Sequence, residues 1–142
     1  MVKRFDHITF VVRDLQAAKR FFALLGFQET QSVVIFGKTM EDYMGVRNIE
    51  ADHMTLAIEN PHAEVQLLHY RHPDVIADLD TGQLNRIGFN HVCFAVDDLE
   101  AEVANLTASG VKLRNKIMDF HNRKLVFLQG PEDITVELAE WH

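Results

Sequence analysis

Apolar and polar residues alternate over residues 5–12 and change to a helical spacing over residues 15–25. The alternation is typical of a β-strand, and it turns His7 toward the more polar of the two strand faces. Asp14 stands where a helix N-cap is expected, and Gly26 suits the residue after the last helical turn. The pattern therefore predicts a strand followed by a helix.

The same pattern returns in the second half of the chain. His91 repeats His7 at an offset of 84 residues, and the match continues without a gap to Gly110. A second repeated segment is found at residues 65–70 and again at residues 136–141, at an offset of 71 residues. An internal repeat of this kind predicts two copies of one structural module.

Each module is predicted to have the order β-α-β-β-β, which places the chain in the α+β class. The remaining predicted elements are strands at 27–36, 53–58, 64–70, 89–96, 111–118, 123–129 and 135–141, and a helix at 99–109. Residues 38–49 are predicted to be a loop with at most a helical turn, and a short helix is possible at 74–79. A module of about 70 residues is marginal alone. We therefore expect one domain, residues 1–142, made of module one (about 5–70), a linker (71–88) and module two (about 89–142).

Composition narrows the classes of function. The 142 residues are 47% hydrophobic, which supports a substantial core, and the net charge of −7 argues against a nucleic-acid partner. Cys93 is the only cysteine, so no disulfide framework is expected. No apolar run approaches the about 18 residues of a membrane helix, and no signal peptide is visible. We expect a cytoplasmic protein with a small-molecule substrate and no membrane partner.

The strand faces bring together candidate metal ligands. If the helix of each module covers the more apolar face of the first strand, His7 and His91 lie on the opposite, open face. The same alternation places Glu137 on that face in the closing strand, and the repeat places Gln66 there in module one. A single His on a strand is more often hydrogen-bonded than ligating, but two pairs at equivalent positions favour a site. Imidazole and carboxylate groups suit one divalent ion: Zn, Ni, Co, Mn or Fe.

These motifs resemble the vicinal oxygen chelate (VOC) superfamily, the glyoxalase/bleomycin resistance/extradiol dioxygenase group. The resemblance rests on two His-x-x-Phe-x-Val-x-Asp-Leu segments that begin at His7 and His91, and on Leu24-Leu25-Gly26-Phe27, Gln66-Leu67 and Gly130-Pro131…Val136-Glu137-Leu138. It implies paired βαβββ modules that form a curved mixed sheet around one metal, and a homodimer. It also implies the metal ligands His7, Gln66, His91 and Glu137.

The resemblance implies lyase or isomerase chemistry. A divalent metal would polarise a substrate carbonyl and stabilise an enolate during isomerisation, epimerisation or lyase reactions of the glyoxalase type. Glu137 would serve as a ligand and as the catalytic base. Glyoxalase I usually has Glu where this chain has Gln66, a substitution that resembles methylmalonyl-CoA epimerase-like members. Since an amide cannot take a proton, Glu64 or Glu41 is the candidate for a second base.

The sequence leaves two alternatives open. Without Gln66, the other three ligands form the 2-His-1-carboxylate triad of an Fe(II) extradiol-type dioxygenase. His121 and Tyr70 would then be candidate acid/base groups, although structural roles are expected for both. The second alternative is a metal-free drug-binding protein of the bleomycin-resistance type, but such binders tend to lose the ligand set. Cys93 is expected to line the cavity without acting as a nucleophile.

Overall fold

The computed structural model describes every residue from Met1 to His142. The chain divides into two compact units, Met1–Ala77 and Asp78–His142, and the boundary falls within the predicted linker. The first unit contains β1 (His7–Val11), α1 (Leu15–Leu24), β2 (Gln28–Phe36), α2 (Lys38–Met44), β3 (Glu50–Ile58) and β4 (Ala63–His72). The second contains β5 (His91–Ala95), α3 (Leu99–Ala108), β6 (Met118–Phe120), β7 (Arg123–Gln129) and β8 (Thr135–Trp141). No helix has the length and apolar character needed to cross a bilayer.

Each unit folds around one four-stranded mixed sheet. The strand orders are β1-β4-β3-β2 and β5-β8-β7-β6. In both sheets the first strand of the module pairs in parallel with the last, and the other pairings are antiparallel. The predicted α+β class and the two βαβββ modules are therefore confirmed.

The parallel pairing has the same register in both units. His7 lies opposite Glu64 and Thr9 opposite Gln66 in the first sheet. The second sheet has the equivalent pairs at the repeated positions: His91 lies opposite Thr135, and Cys93 lies opposite Glu137. The repeat seen in the sequence is thus a repeat of strand register.

One face of each sheet is covered by the long helix of its module. In the first unit, Phe10 of β1 stacks on Phe22 of α1 with ring centroids 5.9 Å apart, and Val65 and Leu67 of β4 are fully buried. In the second unit, Leu106 of α3 and the Val136 and Leu138 side chains of β8 are buried. Burial of each such side chain contributes about 1.5–3 kcal/mol. The polar residues that alternate with them lie on the opposite, open face.

The open face of the first unit is partly covered by α2. The sequence predicts a loop with at most a helical turn at residues 38–49, but the structure has a seven-residue helix there. Met40 and Met44 of α2 pack on a small buried cluster of Ile49, Ala51 and Leu68. The cluster explains why Leu68 is buried although it lies on the open face. In the second unit no helix occurs between α3 and β7, where only β6 is found.

Two further predictions were wrong. Residues 111–117 form no regular strand, and β6 begins only at Met118. Residues 111–117 contribute one isolated bridge, Leu113 to Leu128. The Asn115 side chain replaces a backbone acceptor there, since it accepts from Phe127 N–H at 2.8 Å. The short helix at 74–79 is absent. Ile76 and Leu79 are 98% and 92% exposed. Without a buried apolar stripe, so short a helix has nothing to offset the cost of nucleation.

The first stability prediction concerns the two capping aspartates. The Asp14 carboxylate accepts from Ala17 N–H at 2.9 Å, and the Asp98 carboxylate accepts from Ala101 N–H at 3.0 Å. Asp14→Ala should destabilise its unit by about 1 kcal/mol. Asp98→Ala should cost less, because Glu140 also accepts from Leu99 N–H at the start of α3, at 2.8 Å. Urea unfolding should give that order, and Asp97→Ala, a neighbouring exposed control, should change nothing.

The second prediction concerns the close approach of Gly82 to the turn before β8. A Cβ at Gly82 would lie 1.9 Å from a carboxylate oxygen of Asp133, whose other oxygen bonds Arg114 at 2.7 Å. Gly82→Ala should displace this carboxylate and weaken the charged hydrogen bond, a cost of about 1 kcal/mol for a half-exposed pair. The same substitution should be nearly neutral in an Asp133→Ala background, because the displaced group is then absent. An equal cost in both backgrounds would contradict this account.

The cost of Gly82→Ala should also depend on pH. The hydrogen bond from Arg114 holds the pKa of Asp133 below its ordinary value. A depressed carboxyl pKa contributes stability that is present above the unfolded pKa, about 3.9, and is lost as pH falls through the folded pKa. Urea unfolding should therefore show a smaller destabilisation by Gly82→Ala at a pH below the pKa of Asp133 than at pH 7.

Candidate metal centre

The second unit brings His91 and Glu137 together on its open face. The two residues lie on the adjacent strands β5 and β8, and His91 Nε2 is 3.5 Å from a Glu137 carboxylate oxygen. The Glu137 side chain is only 12% exposed, and that of His91 is 32% exposed. Both side chains are therefore partly shielded from water, and each keeps an edge open to a ligand.

The orientation of the His91 ring is fixed by the residue before it. The Asn90 carboxamide donates from Nδ2 to the Leu84 carbonyl at 2.6 Å, which leaves its oxygen to accept from His91 Nδ1 at 2.8 Å. With the proton on Nδ1, the Nε2 lone pair faces the Glu137 carboxylate. Two acceptors at this distance repel unless a proton or a cation lies near both. The pair therefore fits a divalent metal ion.

The first unit repeats this arrangement at His7. The Asp6 carboxylate lies 2.7 Å from His7 Nδ1, and this hydrogen bond is the main reason that the pKa of Asp6 is lowered. The bond leaves the Nε2 lone pair of a neutral His7 free for a ligand. In both units, the residue before the histidine holds the same ring nitrogen, which is the usual supporting arrangement for a metal-binding imidazole.

The Gln66 carboxamide lies on the same open face of the first unit and is held from both ends. Its oxygen accepts from His53 Nε2 at 2.9 Å and from the Thr9 hydroxyl at 3.5 Å. Its NH₂ group donates to Glu64 at 3.5 Å. An amide can accept and donate hydrogen bonds at the same time. A carboxylate at this position could not donate to Glu64 and would be repelled by its negative charge. The local environment therefore matches Gln and not Glu.

The four predicted ligands are thus placed as two pairs. His91 and Glu137 contact each other directly in the second unit. His7 and Gln66 share the open face of the first unit, one on β1 and the other on β4. Neither unit by itself gathers three or more His, Cys, Asp or Glu side chains in a group that could hold a metal ion. Each unit supplies half of the predicted ligand set.

Cys93 lies opposite Glu137 in the parallel ladder. Burial and, secondarily, the negative charge of Glu137 raise the pKa of the Cys93 thiol to about 12, and the positive charge of Arg123 opposes this only weakly. A thiol with such a pKa is protonated at neutral pH and is a poor nucleophile. This agrees with the expectation that Cys93 lines the site without reacting.

The candidate bases differ in position. Glu64 is on the open face beside Gln66, where His62 contacts its carboxylate at 3.1 Å and has its own pKa raised by Glu59 and Glu64. Glu41, by contrast, accepts from the backbone N–H of Asn48 at 2.7 Å and stabilises the turn after α2. Glu64 is therefore the better placed of the two.

Other candidate residues have structural partners. Tyr70 packs against the cluster under α2, and His121 contacts the Phe120 ring, with centroids 4.3 Å apart. His69 bonds Asp52 at 3.1 Å, and the pKa of Asp52 is lowered mainly by its hydrogen bond to Arg71. These contacts agree with the structural roles expected for Tyr70 and His121, and they give His69 a structural partner as well.

Three residues of the site were not predicted from the sequence. Asp6 and Asn90 could have been found, because they occupy equivalent positions of the repeat, one residue before each histidine. His53 carries no such signal. The strand registers place Leu125 at the equivalent position of the second unit, so a comparison of the two modules gives no indication of His53.

Comparisons with known proteins agree with the fold. Residues 6–127 match the family model of the Glyoxalase/Bleomycin resistance protein/Dioxygenase superfamily. A glyoxalase family protein from Bacillus cereus has a crystal structure with a TM-score of 0.90, at 26% identity over 99% of this chain and 95% of that one. A fosfomycin resistance protein, FosX, from Listeria monocytogenes, solved with Mn(II) and sulfate, has the same fold. Its TM-score is 0.66 at 15% identity, over 100% of this chain and 95% of that one.

A curated relative is similar over a shorter stretch. A lactoylglutathione lyase from Schizosaccharomyces pombe is 35% identical over 52 residues, which is 37% of this chain and 17% of the yeast protein. The likeness to the yeast lyase is therefore local. The family model, by contrast, covers most of the chain, and the two βαβββ modules agree with the fold of its members. The chain belongs to the Glyoxalase/Bleomycin resistance protein/Dioxygenase superfamily.

Proposed function

We propose that the protein is a divalent-metal-dependent enzyme of the glyoxalase/epimerase type, with His7, Gln66, His91 and Glu137 as metal ligands. The observation that carries the proposal is the His91–Glu137 pair, in which Asn90 turns an imidazole lone pair toward a shielded carboxylate. The equivalent Asp6–His7 bond in the first unit supports the same role for His7. A homodimer, which the family resemblance implies, is part of the proposal.

The relatives support a metal and an enzymatic role. The names lactoylglutathione lyase and glyoxalase I belong to two partial matches from yeasts, and FosX has been crystallised with Mn(II). When bound, a divalent ion supplies a Lewis acid that polarises a substrate carbonyl. Zn, Ni, Co, Mn and Fe all suit the donor set, since two imidazoles, a carboxylate and an amide oxygen are acceptable to each.

The residues of the chain supply the rest of the chemistry. In the proposal, the Glu137 carboxylate takes the proton from the carbon next to the carbonyl, and His7 and His91 keep their rings oriented through Asp6 and Asn90. Gln66 cannot accept a proton. Glu64, beside the Gln66 amide, is therefore the second acid–base group: in its protonated form it would return a proton to the substrate after Glu137 has taken one, as an epimerisation or isomerisation needs.

A specific observation favours a second candidate function. The Gln66 oxygen is already engaged by His53 and Thr9, so the strongest remaining donors are the two open-face histidines and Glu137. This is the 2-His-1-carboxylate set of Fe(II) extradiol-type dioxygenases. Oxygen-dependent ring cleavage of a catechol by the Fe(II)-loaded protein would favour this candidate. Turnover of a 2-oxo-acid hemithioacetal or an acyl-CoA thioester without oxygen uptake would favour the glyoxalase/epimerase type.

The metal proposal predicts a graded loss of binding. His91→Ala and His7→Ala should each reduce bound metal from near stoichiometric to trace amounts, because each removes an oriented imidazole donor. Glu137→Gln should retain weaker binding but lose most turnover, since it removes both a charged ligand and the proposed base. Elemental analysis after reconstitution measures the metal, and assays with the substrates named above measure turnover.

His69→Ala is the matched control for the histidine variants. The side chain of His69 bonds Asp52, and we place it outside the ligand set. The His69→Ala variant should therefore bind as much metal as the wild type. If His91→Ala also binds metal as tightly as the wild type, the ligand set is wrong. If the wild type itself binds no metal, a metal-free binding protein becomes the better description.

A charge exchange tests Gln66. Gln66→Glu should lower the melting temperature of the metal-free protein, because a second carboxylate replaces the amide that donates to Glu64. Metal should raise the melting temperature of this variant more than that of the wild type, since it neutralises the added charge. The exchange variant Glu64→Gln/Gln66→Glu restores one amide and one carboxylate and should recover most of the lost stability. A Gln66→Glu variant that gains nothing from metal would argue against Gln66 as a ligand.

A further inference from the structure

The open face of the second unit carries an arginine that no acidic side chain neutralises. Arg123 begins β7 and is half-buried, yet no carboxylate lies within ion-pair distance of its guanidinium. The guanidinium instead lies against two aromatic rings, Trp141 with the centroid at 4.8 Å and Phe120 with the centroid at 5.9 Å. The other shielded arginines differ: Arg114 pairs with Asp133, and Arg86 pairs with Asp78.

The three residues form one row across the sheet. Arg123 lies opposite Phe120 on one neighbouring strand and opposite Trp141 on the other. Side chains of directly opposite residues share a face, so the guanidinium lies between two aromatic walls. These walls remain open to a ligand, since Phe120 is 42% and Trp141 55% exposed. An arginine held in this way presents several N–H donors that no group of the chain accepts.

The row is on the same face as the candidate metal ligands. Along β7 and β8, the row of Arg123 and Trp141 is separated by four residues from the row of Phe127 and Glu137. Four residues of strand correspond to about 13 Å. The row between them on that face is apolar, formed by Leu125, which is partly exposed, and Ala139, which is buried. The face thus has a cation at one end, a carboxylate–imidazole pair at the other and an apolar floor between them.

We infer that Arg123 binds the acidic group of the substrate, and that the substrate is an elongated organic acid. Its metal-binding oxygen atoms would lie at one end, an apolar segment in the middle, and a carboxylate or phosphate at the other end. Arginine suits either oxyanion because its planar N–H fork can donate two parallel hydrogen bonds. The inference rests on the proposed function for the metal end of the molecule and goes beyond it at the Arg123 end.

Two matched ligands test the inference in the metal-loaded protein. Octanedioic acid monohydroxamate carries a chelating group and a carboxylate on an eight-carbon chain, and octanohydroxamate has the same chelating group without the carboxylate. Calorimetry with the Zn²⁺-reconstituted protein should give roughly tenfold tighter binding for the carboxylate ligand. Arg123→Gln should abolish the difference and leave octanohydroxamate binding unchanged. Arg20→Gln, an equal charge change at an exposed site on α1, should preserve it.

A second arm does not depend on the metal. Trp141 is the only tryptophan and contacts the Arg123 guanidinium, so its fluorescence reports events at this residue. In protein stripped of metal and freed of chelator, octanoate should change this fluorescence at a concentration at least roughly tenfold lower than octanamide. The preference should weaken with salt and disappear in Arg123→Gln.

The two arms separate the possible failures. If neither hydroxamate binds the reconstituted protein but octanoate still acts through Arg123, the metal proposal fails and the inference about Arg123 stands. If both hydroxamates bind equally and octanoate has no advantage over octanamide, the metal proposal stands and the Arg123 inference is overturned. A carboxylate preference that survives Arg123→Gln overturns it as well.

Discussion

The parallel pairing between the first and last strands of each module is the constraint on which the rest of the structure depends. It brings residues far apart in sequence onto adjacent strands, Thr9 beside Gln66 and Cys93 beside Glu137. Because side chains alternate between faces, a slip of one strand by one residue would move the candidate ligand of that strand into the core beneath the helix. The buried residues on the other face, such as Val65 and Val136, make such a slip costly. The hydrophobic core and the polar site are therefore fixed by the same register.

Much of the fold could be predicted because the same pattern of strands and helix occurs in both halves of the sequence. The alternation of the strands and the caps Asp14 and Asp98 have clear local causes, and the structure contains the strands, helices and caps that they indicate. The helix α2 could not be predicted, because its stability comes from packing on a cluster that includes Leu68, which is distant in sequence. Residues 111–118 were predicted wrongly since their apolar pattern gives no hint that the Asn115 side chain replaces a ladder bond.

The candidate metal ligands could be predicted from the sequence, but the contacts that support them could not. The residues on the open face follow from alternation, so His7, Gln66, His91 and Glu137 could be selected without coordinates. Their supporting contacts depend on side-chain geometry. No periodicity in the sequence indicates that His53 holds the Gln66 oxygen. The position of Arg123 also required the register, because only the ladder shows that Trp141 and Phe120 flank it.

The bond between Asn90 and the Leu84 carbonyl links the segment before β5 to the protonation of a histidine ring. While this bond is made, the amide oxygen of Asn90 must accept, and the proton of His91 stays on Nδ1. If the segment shifts and releases the amide, the carboxamide can turn its NH₂ group to the ring, and the other tautomer becomes the stable one. The Nε2 lone pair that faces Glu137 would then be lost. Such a shift would exchange the donor and acceptor nitrogens of the ring without displacement of the strand that carries it.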